Sequence, residues 1–158
     1  MKHSLRVGFS FGVTSGIITT LGLIIGLNAG TGSKLVVIGG ILTIAIADAF
    51  SDALGIHISE ESENIHSNKQ VWMATLATFV SKAIFALSFI FPVLLLNLSL
   101  AVVVSIVWGL FVLAMVSYHM GLNQKINPWK VIFEHLLIAI IVIFITHQVG
   151  SWISLHYS

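Results

Sequence analysis

Long uncharged stretches alternate with short polar ones along this chain. Between Arg6 and Lys34 there is no charged residue, and between Lys69 and Lys125 the only one is Lys82. An α-helix rises about 1.5 Å per residue, so about 20 apolar residues cross the hydrocarbon of a bilayer. The first stretch is one such helix. The second is long enough for two, divided where Pro92, Asn97 and Ser99 supply turn chemistry. Lys34 opens another apolar run, and Pro128, a favoured first helical residue, opens the last. The pattern predicts five spans at about 7–28, 35–56, 71–95, 98–120 and 128–155, with a polar helical extension at about 57–68. Barrel strands would be about 10 residues long and would alternate polar with apolar, which these runs do not.

Composition agrees. The 158 residues are 57% apolar and 8% charged. A soluble domain carries about 25% charged residues to hydrate its surface, so lipid is the expected solvent here. The length allows one domain, all-α and integral to the membrane. A net charge of +1 offers no phosphate-neutralising surface, so no nucleic-acid partner is expected. Cysteine is absent, which excludes disulfides, thiolate metal sites and a catalytic thiol. The first apolar run is longer than a signal-peptide core of about 7–15 residues and reads as a retained helix. No phosphate-binding glycine loop or Ser-His-Asp arrangement stands out, so an enzyme or ATP-driven pump is not expected.

Basic residues set the expected orientation. Lys2, Arg6, Lys69, Lys125 and Lys130 fall on one side of a five-helix chain and Lys34 on the other. The N-terminus is therefore expected in the cytoplasm and the C-terminus outside it; in a prokaryote the membrane would be the plasma (inner) membrane. Glycine recurs every fourth residue in the first helix, at Gly8, Gly12, Gly16 and at Gly22, Gly26, Gly30. Helix two repeats the spacing with Ala45, Ala49, Ala53 and with Ser51, Gly55, Ser59. Such rows let backbones approach closely, either inside one subunit or at a homodimer seam around a pore. A homodimer is the expected assembly.

Several residues do not belong in lipid. Asp48 and Asp52 lie inside helix two, one turn apart on a shared face. A carboxylate in a bilayer is costly unless paired or wetted, which makes it a functional candidate. Two of them offer oxygen ligands to a hard or borderline divalent cation. They also suit proton exchange, since adjacent like charges favour retaining a proton. The alternative is structural: Lys82 lies at a depth similar to that of Asp48, and an Asp48–Lys82 pair would join two helices while leaving Asp52 free. At the cytoplasmic end, His57, Glu60 and Glu61 share a helical face, and Glu63 and His66 form a Glu-x-x-His pair of the kind that holds iron in helical bundles. These five residues are candidate metal ligands with Asp48 and Asp52; a solvated acidic face is the competing explanation. Trp72, Trp129 and Trp152 sit at span ends, as an aromatic belt requires.

The segment Gly12-Val-Thr-Ser-Gly-Ile-Ile-Thr-Thr-Leu-Gly-Leu-Ile-Ile-Gly-Leu27 resembles the Gly-Val-Ser-Asp-Gly-Leu signature and Ala-Gly-Leu ending of the vacuolar iron transporter family. Ala49-Phe-Ser-Asp-Ala-Leu-Gly55 with Ser59 is similar to its Ile-Ser-Met-Gly-Leu-Gly stretch. Phe79, Ser81 and Pro92, then Asn127-Pro128, Leu136-Leu-Ile and Thr146 to Gly150, resemble its third and fifth helices. The resemblance implies a five-helix homodimer that exports cytosolic iron or manganese in exchange for protons. It also implies a pathway between subunits lined by helices one and two, and no permanently bound cofactor. The family's helix-one aspartate falls on Ser15, its helix-two methionine on Asp52, the glycine four residues earlier on Asp48, and a helix-two glutamate on Ile44. One acid is lost from helix one and two appear in helix two. Replacing a thioether with a carboxylate shifts preference towards manganese or another harder ion. The family's acidic metal-binding insert between helices two and three is absent, which makes this a short, divergent relative. On this reading Ser15, Asp48 and Asp52 line the transport pathway. The other readings are a non-transporting membrane interaction protein and a proton-linked carrier of another cation or small solute.

Overall fold

A computed structural model describes residues 2–157, and every regular element among them is helical. Helix α1 runs Lys2–Thr31 and α2 runs Lys34–Thr43. A single π turn, Ile44–Asp48, joins α2 to α3, Ala49–Ser62. Then come α4, Asn68–Ser88, the short α5, Ile90–Leu95, α6, Leu98–Gln124, and α7, Pro128–Tyr157. They make five stretches long and apolar enough to cross a membrane: His3–Thr31, Lys34–Ser62, Asn68–Leu95, Leu98–Gln124 and Pro128–Tyr157. The expected five-span architecture is therefore present, in a multi-pass membrane protein. Large apolar side chains such as Leu35, Phe50, Phe91 and Leu155 lie exposed on its outside, where lipid tails solvate them.

The boundaries follow from local chemistry. Asn97 caps α6 by accepting from the Leu100 amide at 3.0 Å. Ser67 and Gln70 form a capping box, so α4 starts at Asn68 rather than at 71. The polar extension expected over 57–68 is helical only to Ser62; Asn64, at φ 55, turns the chain in a left-handed conformation. The expected hinge near Pro92 begins earlier, at Phe89. Proline has no N–H for the Ser88 carbonyl, and the last turn tightens so that the Phe89 amide donates to the Ala86 carbonyl at 3.2 Å. Pro92 then sits in the first turn of α5, where no amide is needed.

Helix α1 is the spine, packed against α4, α6 and α7. A Cβ on Gly12 would lie 2.5 Å from the Thr78 carbonyl oxygen, and one on Gly150 would lie 2.2 Å from that of Gly26. Both glycine rows of α1 thus close on helices of the same chain, Gly8, Gly12 and Gly16 on α4 and Gly22, Gly26 and Gly30 on α7. A homodimer seam through those rows, one of the two readings of the spacing, is not available.

The second span is built differently. Its buried apolar residues, Val37, Ile41, Ala45, Ala49 and Ala53, recur every fourth position. In an unbroken α-helix such a row drifts about 40° per step and would leave the core within a few turns. The π turn, closed by the Ala49 amide donating to the Ile44 carbonyl, adds one residue without adding a turn and sets the row back by about 100°. The same correction keeps Gly39, Thr43, Ala47, Ser51, Gly55 and Ser59 together on the exposed side. A Cβ on Gly39 or Gly55 would touch nothing.

A candidate ion site at mid-membrane depth

Asp48 is the middle residue of the Lys34–Ser62 span and Lys82 lies at the midpoint of Asn68–Leu95. Gly16 brings the α1 backbone against that of α4 at this level: a Cβ there would meet the Lys82 carbonyl oxygen at 3.1 Å and its Cα at 3.2 Å. Lys82 is 0% exposed. Its Nζ lies 2.5 Å from Asp48 Oδ2, donates to Asp52 Oδ2 and reaches Ser15 Oγ at 3.0 Å. The Ser15 hydroxyl in turn donates to Asp52 Oδ2 at 2.6 Å. The ammonium donates to Ser15 and Asp52, while Asp48 Oδ2 is a close ion-pair contact that accepts no hydrogen bond, and three helices meet at one nitrogen.

The expected Asp48–Lys82 pair exists, but Asp52 is not left free; it shares the same ammonium. The four-residue spacing places both carboxylates on one face, and the π turn ending at Asp48 aims that face at α4. With two carboxylates and one ammonium ionised, the site carries −1 − 1 + 1 = −1. It is not sealed. The side chains of Asp48 and Asp52 are 35% and 21% exposed, opening beside Ala47 and Ser51 on the unpacked face of the second span. An ionised aspartate at the centre of a spanning helix costs about 2.5–3.5 kcal/mol on insertion scales, so this residual charge calls for water, a proton, a cation or a covering surface.

The expected cluster at the end of α3 does not assemble as one ligand set. His57 turns to α4, where its Nδ1 lies 2.9 Å from Thr75 Oγ1 and its ring meets Trp72 edge-on. The Thr75 hydroxyl donates to the Val71 carbonyl, which makes His57 Nδ1 the donor. Glu60 is buried, with its carboxylate 3.3 Å from His66 Nδ1; Glu63 approaches the same nitrogen at 3.8 Å, and the His3 ring stacks on His66. Glu61 is exposed. His66 lies in the connection after α3, so the Glu-x-x-His pair meets without sharing a helix. Among the described residues, no three or more His, Asp and Glu side chains converge as a metal-binding group. The seven expected ligands thus separate into the Asp48–Asp52 pair held by Lys82, the Glu60–Glu63–His66 contact, and His57 and Glu61 apart from both.

Two features escape a reading of individual polar residues. Gly16 matters only because Lys82 lies across it. The exposed row of small residues extends back to Gly39, although its every-fourth spacing is written in the sequence. The belt tryptophans Trp72, Trp129 and Trp152 are all exposed. No protein-family model matches the chain, and no curated protein is detectably similar to it.

Proposed function

We propose that the protein is a transporter of divalent metal cations, iron or manganese, that couples export from the cytosol to proton entry. The observation that carries this reading is that two carboxylates share one ammonium at mid-membrane depth, with both aspartate side chains partly exposed. A carboxylate pair whose only resident cation is a tethered ammonium can exchange that ammonium's contacts for a metal ion or a proton. Lys82 then holds the place of the cargo when the site is empty. Ser15 supplies a hydroxyl to the same centre from α1.

The working unit in this proposal is a vacuolar-iron-transporter-like homodimer. It forms along the Gly39, Thr43, Ala47, Ser51, Gly55 and Ser59 row, which permits close helix approach and is unoccupied within the chain. Pairing there would cover the two partly exposed aspartates and line a path with both copies. The N-terminus would face the cytoplasm, following the basic residues.

A second reading is structural, and the complete burial of Lys82 between two aspartates and Ser15 favours it: the cluster would be a tie between α1, the second span and α4 in a protein that moves nothing. Uptake into proteoliposomes under a pH gradient, with manganese, iron(II) or calcium, separates the two. The transporter reading expects metal-dependent proton flux in the wild type and its loss in Asp52→Asn. Equal, metal-independent traces from both proteins would leave the structural tie. Proton movement without any metal would instead indicate a carrier of another solute.

A further inference from the structure

At the end of the bundle that carries the N-terminus, a cleft of about 510 Å³ opens between α1, the end of α6 and the start of α7. Its polar lining includes His3, Arg6, Asn123, Gln124 and His135, and among the described residues no carboxylate lines it. Glu134, next to His135, is exposed and approaches Lys130 instead, at 3.9 Å. Arg6 has no ion-pair partner among the described residues. Thr14, which also lines the cleft, has a buried hydroxyl without a hydrogen-bond partner. His135 is held by Ser117, whose oxygen lies 2.7 Å from Nδ1. The Ser117 proton goes to the Leu113 carbonyl at 2.6 Å, so Nδ1 is the donor and Nε2 is the ring nitrogen left for another partner. Phe11 and Met120 supply an apolar side to the same space.

An unpaired guanidinium beside two side-chain amides that can donate, with no carboxylate among the described lining residues, selects an anion. The volume falls within the range of small-molecule sites, about 300–1,000 Å³. The cleft lies at the end of the bundle where Trp129 opens α7, at headgroup depth rather than in the hydrocarbon. Basic pockets between spanning helices at that level hold phosphate headgroups. We propose that the cleft binds an anionic phospholipid, with Arg6 on the headgroup phosphate, Asn123, Gln124 and Thr14 as further donors, and Phe11 and Met120 against the upper acyl chain. The inference is independent of what the Asp48–Lys82–Asp52 cluster transports.

The test is thermal unfolding of the purified full-length protein in detergent with added dioctanoyl phosphatidylglycerol, dioctanoyl phosphatidylcholine or inorganic phosphate. The expected result is a saturable rise in midpoint with phosphatidylglycerol alone. Arg6→Gln should weaken its apparent affinity about tenfold or more, while Arg6→Lys retains part of it. Should Arg6→Gln fail to fold, Gln124→Ala serves, with a smaller weakening expected. An equal rise with phosphatidylcholine, or unchanged affinity in the Arg6 and Gln124 variants, would overturn the site. An equal rise with inorganic phosphate would overturn the lipid assignment in favour of a free anion.

Discussion

Replacing Lys82 with methionine keeps much of the side-chain volume and removes the ammonium, so the mid-membrane site changes from a net −1 to two unpaired carboxylates one turn apart. Removing one partner of a buried ion pair costs about 3–5 kcal/mol. The Asp48 and Asp52 side chains are 35% and 21% exposed, and water reaching them brings the expected loss to about 3 kcal/mol, roughly a hundredfold in the unfolding equilibrium. Asp52→Asn acts in the opposite direction on charge. It leaves one aspartate facing one lysine, a neutral pair, at the cost of one charge-assisted contact, about 1–3 kcal/mol. The lysine variant should therefore be the less stable of the two in denaturant titrations from mixed micelles. Manganese should restore it, because two carboxylates without their ammonium gain a divalent partner. Ligand at one hundred times its dissociation constant contributes about 2.7 kcal/mol. The wild type should gain less, since Lys82 competes for the same oxygens. A Lys82→Met protein as stable as the wild type, or one that manganese leaves unchanged while it stabilises Asp52→Asn, would refute the assignment of Lys82 as the resident cation.

Gly16→Ala places a methyl group 3.1 Å from the Lys82 carbonyl oxygen and should cost about 1–3 kcal/mol by overpacking, whereas Gly55→Ala, where a Cβ meets nothing, should stabilise the monomer by about 0.4–1 kcal/mol; the same denaturant titration reads both. The chain has no cysteine, so Ser51→Cys gives a single thiol on the exposed row of the second span. Oxidation in native membranes should yield a disulfide-linked dimer on a non-reducing gel, while a cysteine placed at Phe133, exposed on α7, should remain monomeric.

The number of spans, the start of the last helix at Pro128 and the presence of ionisable groups at mid-span were all legible in the sequence, because each depends on local composition and on the length needed to cross a bilayer. So was the Lys82 match to Asp48, since depth along a helix can be counted. Residue counting could not show that Lys82 also takes Asp52. That depends on the rotation of the second span about its axis, which the π turn at Ile44–Asp48 sets. The π turn has no marker residue of its own; it resolves a conflict between the every-fourth burial row and the α-helical period.

The glycine rows show the same division. Their spacing announces close helix contacts, and in α1 those contacts are with α4 and α7 of the same chain, while in the second span the Gly39–Ser59 row is left open. The acidic end of α3 likewise yields its residue types to inspection and not their partners: His57 goes to Thr75, Glu60 to His66. The sequence by itself determined that lipid is the solvent, that five helices cross it and that charges are carried to their centres, because hydropathy and rise per residue are additive along the chain. Only the tertiary structure decided which charges meet, which small residues remain uncovered and where a basic cleft forms. Those depend on the relative rotation of helices far apart in sequence, and no property of a single segment specifies it.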